Sequence, residues 1–213
     1  MVDEQECQAM QASKMFSEFY RICEWIWRLA YINILWMLAS LAGLVVFGLL
    51  PATVAMFAVL RKWVMKELDI PVFQTFINTY RKEFIKANAL GLILLSGGYI
   101  IYFNYLFLAT VKGSIHTVLL VGQLCTLFIY LITVFFIFPV YVHYELKLLQ
   151  YVKLAAIIGI VNPLTTIVLA LSFVLLYHIF YIIPGLIPLY SVSVTGFAIM
   201  WLASIAFSNF EKK

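Results

Sequence analysis

The chain has little charge. Of its 213 residues 11% are charged and 65% apolar, where soluble domains carry about 25% charged residues. So few polar groups cannot cover a solvated surface, and a mean hydropathy of +1.02 agrees. A soluble enzyme and a nucleic-acid-binding module are both excluded, and lipid is the solvent against which the sequence has to be read. The three cysteines, at positions 7, 23 and 125, have neither disulfide arithmetic nor metal-ligand spacing. Carboxylates are missing from every long apolar stretch. That argues against a proton- or sodium-coupled carrier and removes carboxylate-based catalysis within the membrane. No G-x-S-x-G elbow, P-loop or H-E-x-x-H pattern occurs, and His116, His143 and His178 are far apart in sequence. The expectation is a non-enzymatic chain with no cofactor and no metal. The first apolar run begins near residue 29, behind a segment with five acidic and three basic residues, and no A-x-A-like site closes it, so no secretory signal is expected. Neither an internal repeat nor a Gly/Ser-rich linker is visible, and a single domain is expected over 1–213.

The 24 charges cluster: eight in residues 1–28, nine in 61–86, Lys112 alone, three in 143–153 and three in 211–213. Between them lie uncharged stretches of 32 (29–60), 25 (87–111), 30 (113–142) and 57 residues (154–210). A helical span takes about 20 apolar residues. The last stretch therefore holds two spans, separated by the Pro184 to Pro188 turn. Residues 29–60 read either as one kinked span or as a hairpin broken between Gly48 and Pro51. The hairpin places nearly all Lys and Arg on one side of the membrane, with Lys112 alone outside, which the positive-inside rule favours. The fold expected is an all-α, polytopic helical transmembrane bundle of six helices (29–48, 51–66, 87–111, 114–142, 154–177 and 188–210), with five as the alternative. Both termini are expected to be cytoplasmic.

Two amphipathic segments are expected on the cytoplasmic side. Residues 14–28 place Met15, Phe19, Ile22 and Ile26 at helical spacing, as in a helix lying along the bilayer surface. Residues 69–87 carry a stripe of Phe73, Phe76, Ile77, Tyr80 and Phe84, opposite Gln74, Asn78, Lys82 and Lys86. Such a stripe can dock into a groove on a partner protein. It can equally meet lipid or cover the chain's own bundle. Inside the spans the polar residues are amides and hydroxyls, which commonly link helices. Asn104, Gln123, Asn162 and Thr165 would line a solute path if one exists, and Asn162-Pro163 marks a break of the kind that sometimes flanks such paths. The many aromatic residues near span ends, including Tyr102, Tyr105, Tyr177 and Tyr181, fit a membrane aromatic belt.

One pattern goes beyond composition. Asn33 and Trp36, then Gly48 and Pro51, then Arg61, Lys62 and Trp63, followed by Pro71, Phe73, Phe76, Tyr80 and Phe84, resemble the signature region of the YesL-like family of bacterial integral membrane proteins. The resemblance covers residues 16–100. It implies the bacterial plasma membrane and a setting beside carbohydrate ABC importers, whose permease subunits and solute-binding protein would be partners along with the lipid bilayer. It carries over no catalytic set, so Asn33, Trp36, Gly48, Pro51, Arg61, Lys62 and Trp63 stand as motif residues of unassigned role. Three functions follow as expectations. The first is a non-catalytic accessory subunit of a carbohydrate ABC importer; the others are a self-sufficient oligomeric channel or facilitator for a small neutral solute, and a membrane scaffold or sensor.

Overall fold

The computed structural model describes the backbone of residues 2–211 and side-chain environments from Glu18 to Phe210, Ser114 excepted. The chain ends, expected on one side of the membrane, lie outside the residues described. Seven α-helices follow in order: α1 Val2–Ala42, α2 Leu49–Val64, α3 Val72–Leu108, α4 Ser114–His143, α5 Leu148–Val161, α6 Pro163–Ile182 and, after a 3-10 turn at Pro184–Leu186, α7 Ile187–Glu211. No strand occurs among the described residues. Backbone groups in hydrocarbon must find partners within their own segment, and helices achieve this.

Among the described residues, five segments are long and apolar enough to cross a membrane: Glu18–Ala42, Val72–Leu108, Ile115–His143, Pro163–Ile182 and Pro184–Phe210. The all-α multi-pass bundle is therefore present. The hairpin within residues 29–60 is also present, but its second arm, α2, has only 16 residues. At 1.5 Å per residue that is about 24 Å, short of the roughly 30 Å hydrocarbon core. Instead α2 fills the bundle's interior, with Ala52, Val54, Ala55, Met56, Phe57, Val59, Leu60 and Trp63 all buried.

Three boundaries differ from the sequence expectation. Residues 14–28 are not a separate surface helix; they continue without a break into the first span as α1. Nothing between them, neither Gly nor Pro, interrupts the helix. Residues 69–87 likewise run on into the 87–111 segment to form the 37-residue α3. That helix is about 55 Å long and exceeds the hydrocarbon thickness, so its charged first half (Arg81, Lys82, Glu83, Lys86) extends the same rod past the apolar second half. The expected 154–177 span is broken at Asn162 into α5 and α6. Pro163 has no N–H and cannot close the helical bond to Gly159. The Thr166 hydroxyl replaces it, donating to the Gly159 carbonyl at 2.8 Å, while the Asn162 side-chain amide donates to Ile158 O at 3.0 Å. The break is thus capped by the two polar residues beside it.

The turn between α1 and α2 is tight. A Cβ on Gly48 would lie 2.5 Å from Ser40 O and 2.9 Å from Ala39 O, so only glycine fits. Leu44 and Val45 are held in the left-handed region at φ 57° and 63°, which is costly for a β-branched residue. Hydrogen bonds pin this turn to α3: the Tyr80 hydroxyl donates to Ala39 O at 3.0 Å and the Asn88 amide to Phe47 O at 3.0 Å.

Candidate functional site

The motif residues of the first half are structural joints. Asn33, 1% exposed, donates to Pro188 O at 2.7 Å and accepts from the Ser193 N–H at 3.3 Å. One amide thereby latches α1 to the start of α7 across some 155 residues of sequence. The Trp36 indole N–H donates to the Thr53 hydroxyl at 3.0 Å, bridging the two arms of the hairpin. Pro51 is buried in the first turn of α2, where a missing N–H costs nothing. Trp63 is buried edge-on against Trp25, ring centroids 6.0 Å apart. Lys62 is half-buried.

The aromatic stripe of residues 73–84 folds onto the chain itself. Phe76 is fully buried, and Ile77 and Tyr80 pack against the same core. Phe76 stacks on Tyr80, which in turn meets Phe84 edge-on. Only Phe73 among the five is exposed. The stripe set aside for partner docking is therefore largely occupied by contacts within the bundle. The four residues proposed for a path do not meet either. Asn104 and Gln123 line an open cleft of about 400 Å³ between α3 and α4, and Gln123 donates its amide to Ile101 O at 2.9 Å. Asn162 and Thr165 sit at the α5–α6 break, both buried.

What gathers instead is charge. Arg61 from α2, Asn78, Lys82, Glu83 and Lys86 from α3, Tyr141 and His143 from α4, Glu145 and Lys147 from the α4–α5 loop, and Tyr151 from α5 surround one half-open basin of about 930 Å³. Its floor is ordered. Tyr141 donates to a Glu83 carboxylate oxygen at 2.7 Å. The Tyr151 hydroxyl accepts from the Leu146 N–H at 2.9 Å and donates to Tyr144 O at 3.1 Å, so the rim loop is tied down. The two tyrosine rings lie 4.7 Å apart. Lys82, Lys86, Glu145 and Lys147 are exposed, whereas Arg61 is half-buried. Arg61 Nε is buried and has no hydrogen-bond partner. The described residues contain an ion pair at Glu24–Arg28, and none is formed by the basin's four Lys and Arg side chains. No cluster of His, Cys, Asp and Glu suited to a metal ion occurs among the described residues.

In the sequence, Arg61 stands only as a motif residue, and Asn78, Lys82 and Lys86 only as the polar face of an amphipathic helix. The signal was available. The two charge clusters at 61–86 and 143–153 are expected on one side of the membrane, and antiparallel helices must bring them to the same end.

Five membrane-length apolar helices among the described residues, with much of their apolar surface exposed as lipid requires, define a multi-pass helical membrane protein. A family profile described as "Protein of unknown function, DUF624" matches residues 29–105. The "Uncharacterized protein YesV" of Bacillus subtilis (strain 168) is 36% identical over 192 residues, covering 90% of this chain and 92% of that protein. YteU of the same organism is 34% identical, covering 90% and 86%, and YesL is 35% identical, covering 76% and 78%. The chain belongs to the YesL-like family. No solved structure matches it.

Proposed function

We propose that the chain is a non-catalytic accessory membrane subunit of a carbohydrate ABC importer, meeting its partners at the basin end of the bundle. One observation carries this reading over a self-sufficient channel. Several polar groups inside the spans are tied to backbone carbonyls: Gln123 to Ile101, Asn162 to Ile158, Thr126 to Gly122, Thr133 to Ile129 and Thr166 to Gly159. A solute path needs polar groups free to exchange bonds with what passes. The basin's four Lys and Arg side chains, which form no ion pair among the described residues, are in a form suited to holding something in place. The importer setting and the bacterial plasma membrane come from the family resemblance, and the positive-inside rule supports a cytoplasmic basin.

Affinity purification of the tagged chain from membranes in mild detergent tests the proposal. A permease or ATPase subunit recovered in stoichiometric amount is the expected result. Purified chain that recovers no such subunit, yet passes a neutral solute in proteoliposomes, would replace the proposal with the channel reading.

A further inference from the structure

We propose that the basin binds a phosphate group, carried by an anionic lipid headgroup or by a soluble phosphate ester, with Arg61 at its base and Lys82, Lys86 and Lys147 around it. The inference rests on the basin being the functional site, and it is independent of which protein partner the chain has.

Two features point to an anion. First, the basin's side chains carry four fixed positive charges against two carboxylates, and Glu83 already accepts a hydrogen bond from Tyr141. No ion pair among the described residues neutralises the surplus positive charge. Second, Arg61 Nε is buried without a partner. Arg61 also lines the basin, and a half-buried guanidinium with no ion-pair partner among the described residues is favoured by an oxyanion beside it.

The choice of phosphate follows from donor type and place. Arginine with several lysines around it suits a multivalent oxyanion better than a lone carboxylate, which one guanidinium satisfies in bidentate fashion. A space of about 930 Å³ far exceeds a simple ion and suits a headgroup or an ester. The basin also adjoins the point on α3 where the last charge, Lys86, gives way to the uncharged 87–111 stretch. That boundary is where lipid phosphates lie.

The full-length protein, delipidated in neutral detergent, is offered an equimolar mixture of phosphatidylcholine and phosphatidylglycerol, and retained lipid is counted by native mass spectrometry. In parallel, its thermal melting is followed with glycerol 3-phosphate and no lipid. Preferential retention of phosphatidylglycerol is expected for wild type. It should fall about tenfold in the double variant Lys86→Gln/Lys147→Gln, which removes two charge-assisted contacts, and stay unchanged in Lys112→Gln at the other end of α3. Stabilisation by glycerol 3-phosphate, lost in the same double variant and without lipid preference, would assign the site to a soluble ester and still support the proposal. Arg61→Gln should act in the same direction; because Arg61 is half-buried, the double variant at exposed positions decides if that protein fails to fold. The proposal is overturned by equal retention of both lipids together with no response to glycerol 3-phosphate. It is also overturned if the basin variants behave as wild type, or if a polyglutamate peptide binds the basin where neither phosphate probe does.

Discussion

Replacing Phe76 with alanine separates the two uses of an aromatic stripe. Phe76 has no exposed surface, stacks on Tyr80 with ring centroids 6.5 Å apart, and lies in the core that α2 and α3 share. Truncating a buried Phe costs about 3–5 kcal/mol. In a bilayer or micelle part of the usual transfer penalty is absent, because the unfolded reference is also apolar; the lost dispersion contacts and the cavity remain. Tyr80 adds to the cost. Without Phe76 beneath it, the ring that donates to Ala39 O is free to shift, and a net hydrogen bond contributes about 1 kcal/mol. Phe76→Ala should therefore destabilise by about 3–5 kcal/mol in all. Phe73→Ala is the matched control: the same chemical change on the same helix, at a position 54% exposed. It should cost within about 0.5 kcal/mol. Unfolding in mixed anionic and neutral micelles, followed by tryptophan fluorescence, resolves that difference, since Trp36 and Trp63 report on the hairpin. Equal, small effects from the two substitutions would refute the packing described here. So would a Phe76→Ala protein of wild-type stability that has lost a partner, because the stripe would then be a docking surface after all.

Other positions give independent checks. Asn33→Leu keeps the bulk and removes the bonds to Pro188 and Ser193; interhelical bonds in membranes average about 0.6 kcal/mol with a maximum near 1.7, so a loss of about 1–3 kcal/mol is expected, with faster hydrogen exchange localised at residues 184–193. Val45→Gly should instead stabilise by about 0.5–1 kcal/mol, because glycine relieves the left-handed strain at φ 63° by more than its own entropy costs; a lower melting temperature would show that the turn does not have this conformation. Gly159→Leu should destabilise by at least about 1–3 kcal/mol, since any Cβ there collides with Ile132 and lies 3.2 Å from Phe136, and thermal melting would read it.

Much of the fold is legible in the residues because lipid leaves few alternatives. Long uncharged stretches between charge clusters become helices, and Gly48, Pro163 and Pro184 end them where a missing Cβ or a missing N–H dictates. What periodicity does not reveal is continuity. Residues 69–87 and 87–108 have different exteriors, polar and apolar, and so read as two elements; the backbone has no reason to break between them, and α3 runs through both. The same holds for 14–28 and the span after it. The stripe at 73–84 marks a buried face correctly without saying what buries it, and α2 turns out to be the answer. The basin is less legible still. Arg61 and Lys147 are 86 positions apart in sequence, and only the antiparallel packing of α2, α3 and α4 makes them neighbours. The polar span residues misled for the opposite reason: an amide in a membrane helix reads as a lining group, but Gln123 and Asn162 each have a carbonyl to bond.

The proposed role of the chain is to hold partners at its basin end. A photo-crosslinking residue placed at Lys147 on the basin rim, and in a second protein at Thr110 near the far end of α3, tests it in intact membranes of cells taking up the carbohydrate. Adducts to a permease or ATPase subunit from position 147, and none from position 110, are the predicted result. Absence of any such adduct from position 147, together with solute flux through the purified chain alone, would contradict it.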